Sequence, residues 1–162
     1  MRILGIDPGL NITGYGVIDI QGRQLQLVEA GIVCSKRTDT LAQRVAEIHA
    51  GVSDVISILK PDGMALEQLY SHYERPQTAI LMGHARGIIC LAAAQAGIDV
   101  QDYAATQIKK TLTGNGRAPK SQVQLAIQRE LQLSQLPEPA DVADALAIAL
   151  THIWITKLQL QT

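Results

Sequence analysis

The chain begins with a short apolar run, RILGID, which ends in a carboxylate and is followed at once by Pro8 and Gly9. An apolar run of this length, bounded by turn residues, predicts a strand that is buried on both faces of a sheet, where a charge is not normally tolerated. Asp7 therefore has to lie where the strand leaves the core. This feature predicts a central strand that delivers a carboxylate to the edge of a sheet.

The predicted elements that follow extend this strand into an α/β architecture. TGYGVIDI and QLQLVEAGIV predict two strands joined at Gly22, and a helix then begins with a capping box at Thr40 and Gln43 and stops before Pro61. GMALEQL predicts a fourth strand, which we expect to run parallel to a neighbour because a helix precedes it. IDVQDY predicts a fifth strand, and ATQIKKTLT, SQVQLAIQREL and PEPADVADALAIALTHIWI predict the last helices. We therefore expect an α/β fold with a five-stranded mixed sheet and helices on both faces.

A helix at about Pro76 to Ala96 is apolar or small nearly all round, which is more than one packing face can use. Such a helix is either central in the fold or half of an interface. No stretch approaches the roughly 20 apolar residues that span a bilayer, and the N-terminus lacks the features of a signal peptide. We expect a cytoplasmic protein without a membrane segment, and the 162 residues fit a single domain, 1–162.

Four carboxylates are candidates for one shared site. Asp7 and Glu67 end predicted strands, and carboxyl ends of parallel neighbours meet at one sheet edge; Asp141 and Asp144 lie three apart on one face of the last helix. Taken singly, Asp7 fits an Asx-turn, Glu67 a surface acid and Asp141 a complement to the helix dipole. Asp144 is harder to explain in this way because it interrupts an apolar pattern. Glu138 falls in a predicted loop and is not assigned to the site.

Carboxylates brought together repel one another unless cations lie between them. A set of oxygen ligands favours Mg²⁺ or Mn²⁺. Two such ions roughly 3.5 to 4 Å apart can activate a water molecule and stabilise the leaving oxygen in an in-line phosphodiester displacement. The four acids therefore indicate a metal-dependent phosphodiesterase.

The basic residues are unevenly distributed along a chain whose formal net charge is only −1. The segment from Tyr103 to Arg129 contains no Asp or Glu and includes Lys109, Lys110, Arg117, Lys120 and Arg129. A solvated surface explains such a cluster, and an anionic partner is the sharper alternative. With a phosphodiester substrate, these residues would supply the phosphate contacts.

Several motifs in order closely resemble the RuvC family of Holliday junction resolvases: GIDPGLNITGYGVI, LEQLY, GHARGII, TGNGRAPKSQV and ADVADALAIALTH. The resemblance runs nearly from end to end. It implies a ribonuclease H-like fold, a homodimer, and Mg²⁺-dependent, paired symmetric nicks in four-way junction DNA during homologous recombination and repair. It also implies two metal ions per subunit, with Mn²⁺ able to substitute, and branch-migration partners of the RuvA and RuvB type.

Each catalytic acid of the family has a matching residue in this chain. Asp7 matches the first catalytic acid of the family and Glu67 the second, while Asp141 and Asp144 match the last two. Some members have a histidine where this chain has Asp141. Tyr70 takes the place where many relatives have a phenylalanine that stacks on a base near the junction.

The basic residues carry over less completely. Lys109 and Lys120 match family lysines near the scissile phosphate, and Lys110 and Arg117 are additional charges that we predict to contact DNA. His84 and Arg86 fall in the predicted interface helix and are interpreted as structural or interfacial. His152 could hydrogen-bond near the metals, but a core histidine with a satisfied hydrogen bond is the favoured interpretation. The residues predicted to contact DNA are therefore Tyr70, Lys109, Lys110, Arg117 and Lys120.

Three other functions compete with junction resolution. ATPases of the actin type also begin with a strand, an Asp and a glycine-rich turn, but this chain is short for their two lobes and offers no second glycine-rich phosphate loop. A relative that trims ribosomal RNA precursors keeps the fold and changes the substrate; Tyr70, GHARG and the basic loop favour DNA. An inactive DNA-binding module is the third alternative, but its four carboxylates would only repel phosphates.

Overall fold

This computed structural model describes residues 1–22, 24–69 and 76–159 of the chain. They contain five strands and five helices. The strands are β1 (Arg2–Asp7), β2 (Ile12–Gln21), β3 (Gln24–Cys34), β4 (Gly63–Glu67) and β5 (Val100–Tyr103). The helices are α1 (Leu41–Leu59), α2 (Pro76–Gln95), α3 (Ala105–Thr113), α4 (Lys120–Glu130) and α5 (Ala140–Gln159).

The strands form one mixed sheet in the order β3-β2-β1-β4-β5, with β1 at its centre. β2 pairs antiparallel with both β1 and β3, whereas β4 runs parallel to β1 and β5 runs parallel to β4. The tight turn between β2 and β3 begins at Gly22, whose φ of 59° suits a residue without a side chain. The prediction of a five-stranded mixed sheet is therefore confirmed.

Helices cover both faces of this sheet, as predicted. Ile3 of β1 faces a core built with α3, α4 and α5, while its neighbours Leu4 and Ile6 face a second core built with α1 and α2. Successive side chains of a strand point to opposite faces, so β1 contributes to both cores. Burial on both faces explains the continuous apolar run at the start of the chain.

Helix α1 follows its predicted boundaries closely. The Thr40 hydroxyl accepts a hydrogen bond from the Gln43 backbone N–H at 3.3 Å, and the Gln43 side chain reciprocates, which completes the capping box. The helix ends at Leu59, and Lys60 takes the left-handed conformation before Pro61. Its buried face consists of Ile48, Val52, Ile56 and Leu59, whereas Leu41 in the first turn is 40% exposed.

Helix α2 packs against α1 through one narrow face of Ala85, Ile89, Ala92 and Ala93. Its other face leaves Ile80 60% and Leu91 49% exposed. The expectation that no stretch is apolar enough to cross a bilayer was wrong: among the described helices, α2 meets the length and composition of a span, with a mean hydropathy of 1.2 and 22% of the stretch buried. The uncovered aliphatic face produces this result, and a single helix of this kind is weak evidence for a membrane.

Helix α5 crosses the sheet in unusually close contact with β1 and β2. A Cβ on Gly5 would lie 2.2 Å from the Ala145 carbonyl oxygen, and one on Gly16 would lie 2.5 Å from Cδ2 of Leu146. Gly5 and Gly16 are paired across β1 and β2, so together they form a shallow strip beneath the helix. Only residues without side chains allow α5 to lie this low, and its height over the sheet determines where its first turns meet the end of β1.

Candidate active site

Asp7 and Glu67 end parallel neighbouring strands and lie on the same face of the sheet. In the register of β1 and β4, Gly5 pairs with Ala65 and Ile6 with Leu66, which brings the next residue of each strand side by side. Both side chains belong to the face that α5 covers, because alternation puts Asp7 with Gly5 and Glu67 with Ala65. The sequence prediction that these two acids share one sheet edge is supported by this register.

Helix α5 brings the other two acids to the same edge. Gly14 of β2 pairs with Asp7, and a Cβ on Gly14 would lie 2.1 Å from the Asp141 carbonyl oxygen. The first turn of α5 thus lies directly over the strand beside Asp7. Asp144 follows one turn later, and the helix begins where the Pro139 carbonyl accepts hydrogen bonds from the N–H groups of Val142 and Ala143.

The four acids lie close enough to repel one another electrostatically. Burial raises the pKa of Asp7 from an ordinary value of 3.8 to about 7, and repulsion from Asp144, Glu67 and Asp141 adds to the effect. Burial also raises the pKa of Glu67, again with a contribution from Asp144. Asp7 interacts with all three other acids, which makes it the centre of the cluster.

Two lysines partly offset this negative charge. Nζ of Lys120 donates a hydrogen bond to Oδ2 of Asp144 at 2.9 Å, and this contact raises the pKa of Lys120. Lys109 lines a cavity of about 190 Å³ together with Glu67, Lys120 and Asp144. The prediction that Lys109 and Lys120 stand near the acids therefore has geometric support, and we call this space the lysine cavity.

The other predicted DNA contacts are placed differently. Lys110 and Arg117 are exposed and lie outside the lining of the lysine cavity. The Arg117 backbone N–H donates to the Asn115 side chain at 2.9 Å, which orders the loop before α4. Tyr70 lies outside the described residues. Their predicted contacts with DNA remain predictions.

His152 has a structural partner. Its Nδ1 shares a hydrogen bond of 2.8 Å with the Tyr103 hydroxyl, and burial lowers its pKa. Tyr103 pairs with Glu67 in the sheet and belongs to the core under α5. This arrangement favours the interpretation of His152 as a core histidine.

Three arginines lie around the site: Arg86, which was interpreted as structural or interfacial, and Arg37 and Arg44, to which the sequence assigned no role. Arg86 of α2 forms an ion pair with Asp102 of β5 and donates to the Glu67 carbonyl oxygen at 3.4 Å, so it fastens α2 to the ends of β4 and β5. Arg37 and Arg44 lie in a groove on the other side of Asp7, which also contains Asp141. Both arginines stand outside the basic segment that drew attention in the sequence, and no local motif marks them.

The donor set fits divalent metal ions by its chemistry. It consists of carboxylate oxygens only, and the pKa of Asp7 is raised mainly by burial and further by repulsion from the other acids, which a cation would relieve. Among the described residues, however, no group of three Asp, Glu, His or Cys side chains lies close enough together to hold a metal ion. Lys120 holds one oxygen of Asp144 instead. The acids Asp7, Glu67, Asp141 and Asp144 would have to move closer together around a metal.

The chain is similar to known proteins over most of its length. The family model for "Crossover junction endodeoxyribonuclease RuvC" matches residues 3–152. A crossover junction endodeoxyribonuclease RuvC from Rhodopirellula baltica is 64% identical over 148 residues, which cover 91% of this chain and 83% of the relative. A second relative of that name, from Serratia proteamaculans, is 45% identical over 96% of this chain and 88% of its own length.

Solved structures give the same result. Thermus thermophilus RuvC is 34% identical to this chain and superposes with a TM-score of 0.91. The match covers 98% of this chain and 97% of that protein. The structure of T. thermophilus RuvC in complex with a Holliday junction substrate has a TM-score of 0.93 over 98% of this chain and 96% of that chain. The sheet and its two layers of helices therefore form the expected ribonuclease H-like fold. Because sequence and structure match over nearly their full lengths, this chain belongs to the RuvC family of crossover junction endodeoxyribonucleases.

Proposed function

We propose that this protein is a structure-selective DNA endonuclease that resolves four-way (Holliday) junctions by paired symmetric nicks. The observation that carries the proposal is the meeting of Asp7, Glu67, Asp141 and Asp144 at one sheet edge, in a member of a family of junction endonucleases. Relatives of this name and a structure of T. thermophilus RuvC with a Holliday junction substrate support junction DNA as the substrate. The reaction is phosphodiester hydrolysis in homologous recombination and DNA repair.

The four acids would hold two Mg²⁺ ions per subunit, and Mn²⁺ can substitute because it prefers the same oxygen ligands. When bound, the metals supply an activated water and stabilisation of the leaving oxygen. Asp7 would be the central ligand of this set, because it interacts with each of the other three acids. Neutralising this cluster also lets a DNA phosphate approach it.

The lysines act on the phosphate itself. Lys109 and Lys120 line the lysine cavity beside Glu67 and Asp144, within reach of a phosphate held at the acids. Their ammonium groups would orient the scissile phosphate and stabilise the negative charge that develops on it. Lys110, Arg117 and Tyr70 would contact DNA farther from the scissile bond, the two basic residues through phosphates and the tyrosine ring by stacking.

Helix α2 is the proposed homodimer interface. Ile80, His84, Gly87 and Leu91 recur at helical spacing on its uncovered face, and Gly87 leaves room for close approach because no atom lies within 4 Å of the position of its Cβ. A dimer about this helix would present two active sites to the two strands that have to be nicked. Leu91→Arg should produce monomers in analytical ultracentrifugation and abolish paired nicking while single-site chemistry survives.

The remaining expectations follow from the family. Partners of the RuvA and RuvB type would supply the migrating junction, and the protein would work in the cytoplasm. Both are proposals that rest on family membership. Co-sedimentation on a four-way junction loaded with purified RuvA-type and RuvB-type proteins tests the first, and fractionation of cells tests the second.

The decisive experiment is cleavage of a synthetic four-way DNA junction with Mg²⁺. Wild type should produce symmetric nicks, and Asp7→Asn and Asp144→Asn should lose cleavage by at least about a thousandfold, since each removes a ligand of the metals. Glu138→Gln is the matched control, because this exposed acid lies two residues before α5 and outside the lining of the lysine cavity. It should cleave like wild type.

Binding and substrate controls separate the possible failures. Both inactive variants should still bind the junction in a gel-shift assay, and linear duplex should remain uncut. Equal cutting of structured RNA would contradict the proposal and favour an RNA-processing nuclease. Absence of any junction cleavage by folded wild type would contradict it as well.

A further inference from the structure

An open groove of about 450 Å³ lies on the opposite side of Asp7 from the lysine cavity. Asp7 and Asp141 form the end of this groove that meets the acidic cluster, and Arg37 and Arg44 lie along it. We call it the arginine groove. The active site therefore lies between two depressions, one lined by lysines and the other by arginines, and neither one alone could hold more than a short piece of an extended substrate.

The two arginines of the arginine groove form no ion pair with a carboxylate of the described residues. Within the described ranges, the ion pairs join Arg2 with Asp19, Arg86 with Asp102, and Lys120 with Asp144. Arg37 is exposed and Arg44 is half-buried, and neither belongs to these pairs. In a chain with a net charge of −1, two guanidinium groups that form no ion pair with any described residue lie beside the active site, and this indicates an anionic ligand.

Arg44 is held in place by polar contacts with two segments. Its Nε donates to the Ser35 hydroxyl at 3.2 Å, and its Nη2 donates to the Asn11 side chain. Ser35 in turn donates to the Leu10 carbonyl oxygen at 2.5 Å, so Arg44 and Ser35 together fasten the turn that follows Asp7. Arg44 is therefore a positioning residue for this turn, whereas Arg37 is exposed and forms no ion pair with another described residue.

The opposite wall of the arginine groove comes from the first turns of α2. Thr78 lies near the N-terminus of this 20-residue helix and lines the groove, followed by Leu81 and Met82. The N-terminal end of a helix carries a partial positive charge that favours phosphate groups. Arg37 and this helix end thus border the same space with the same sign of potential, and the aliphatic side chains provide an apolar surface for a sugar.

We propose that the arginine groove binds the backbone of the cleaved DNA strand, at a phosphate next to the scissile one and on the side opposite to Lys109 and Lys120. This inference rests on the proposed function. A strand that passes over the acidic cluster has to leave it on both sides, and the arginine groove provides the second path. Arg37 is its principal phosphate contact, and the strand is thereby gripped on both sides of the bond that is cut.

The test measures junction binding by proteins that all carry Asp144→Asn, so that cleavage does not interfere. Arg37→Ala should make the slope of log K against log salt shallower by about one, the value for one lost phosphate contact. Lys60→Gln is the matched control, because it removes one exposed positive charge at the end of α1, beside the start of β1 and away from the four acids. It should leave the slope unchanged.

Neutral phosphates then locate the contact. A single methylphosphonate is placed in turn at each phosphate that flanks the mapped cut. With Arg37 present, a methylphosphonate at one phosphate should weaken binding about three- to tenfold. This phosphate should lie on the other side of the cut from the phosphate that responds to Lys109→Ala. In the Arg37→Ala protein, the same methylphosphonate should not weaken binding further. Equal sensitivity in both proteins would overturn the inference.

The outcomes separate the two proposals. If the Asp144→Asn protein does not bind the junction at all, the proposed function fails. If it binds and Arg37→Ala has neither effect, only the arginine groove is wrong. If Arg37→Ala instead weakens self-association in ultracentrifugation with DNA binding unchanged, the groove receives a second copy of the chain and the inference is overturned.

Discussion

Nζ of Lys120 lies 2.9 Å from Oδ2 of Asp144, so an ammonium group occupies one oxygen of a carboxylate that we propose as a metal ligand. The lysine side chain is 71% exposed and approaches from the start of α4, while Asp144 belongs to α5. A positive side chain in this position reduces the repulsion among the four acids. It also has to give up the contact before Asp144 can turn fully toward a metal.

Removal of this ammonium should therefore tighten metal binding in the absence of DNA. We expect Lys120→Ala to lower the Kd for Mn²⁺ about two- to fivefold, the range for loss of a competing exposed ion pair. Titration with Mn²⁺, followed by electron paramagnetic resonance, measures the change. Arg129→Ala, on the same helix, should bind Mn²⁺ as wild type does. Weaker binding by Lys120→Ala would mean that the lysine assists the metal.

The raised pKa of Asp7 predicts how the stability of the metal-free protein depends on pH. The native carboxyl holds its proton up to about pH 7, and the unfolded one loses it near 3.8. The native state therefore binds more protons between these values, so the unfolding free energy falls as pH rises from about 4 to about 7. Below this window the stabilisation is fully present, and above it the stabilisation is lost.

Asp7→Asn should remove most of this pH dependence. In a chelating buffer, we expect the melting temperature of wild type to fall from pH 5 to pH 8 while that of Asp7→Asn changes much less. At pH 8 the variant should be more stable than wild type, and added Mg²⁺ should stabilise wild type more strongly. Differential scanning fluorimetry at a series of pH values checks this, and parallel profiles for the two proteins would contradict it. Glu138→Gln serves as the control.

The sequence was sufficient for those parts of the site that depend on local pattern and strand polarity. The apolar run before Asp7 and the helix between the third and fourth strands predict that Asp7 and Glu67 meet, since parallel strands end at one edge. Asp144 was recognisable because it interrupts an apolar helix. These inferences need only periodicity, turn residues and the direction of each strand.

The rest of the site depends on contacts between residues far apart in the chain. Nothing near Arg37 or Arg44 in the sequence indicates that they border Asp7, because the turn, α1 and α2 meet there only in three dimensions. The pairing of Lys120 with Asp144 likewise needs the relative placement of α4 and α5. The glycine strip beneath α5 became interpretable only once the register paired Gly5 with Gly16.

The hydrogen bond between Tyr103 and His152 should contribute to stability and leave the reaction untouched. Tyr103→Phe removes the hydroxyl 2.8 Å from Nδ1 of His152, and we expect a loss of about 1 kcal/mol in the free energy of unfolding. Cleavage should remain within about twofold of wild type. Tyr15→Phe is the control: its hydroxyl donates to Glu29 in an exposed bond, so its loss should cost less. A large loss of cleavage in a stable Tyr103→Phe protein would assign His152 a part in the reaction.

The height of α5 over the sheet should be the most sensitive structural parameter of the site. In Gly5→Ala the new Cβ would lie 2.2 Å from the Ala145 carbonyl oxygen and 2.6 Å from the Ala149 nitrogen, so the backbone of α5 has to move. We expect a loss of about 3 kcal/mol or more in urea unfolding, at the upper end for overpacked cores. Gly63→Ala, on the neighbouring parallel strand, is the control, because its Cβ would meet Ile3 at an ordinary 3.5 Å.

The same substitution should also weaken metal binding in protein that remains folded. Asp141 and Asp144 are carried by the first turns of α5, whereas Asp7 and Glu67 are fixed to the sheet, so raising the helix separates the two pairs of ligands. Mn²⁺ titration of Gly5→Ala below its melting temperature should therefore give a higher Kd than for Gly63→Ala. An unchanged Kd together with reduced stability would mean that the acids adjust independently of the helix, and that the glycine strip serves the core alone.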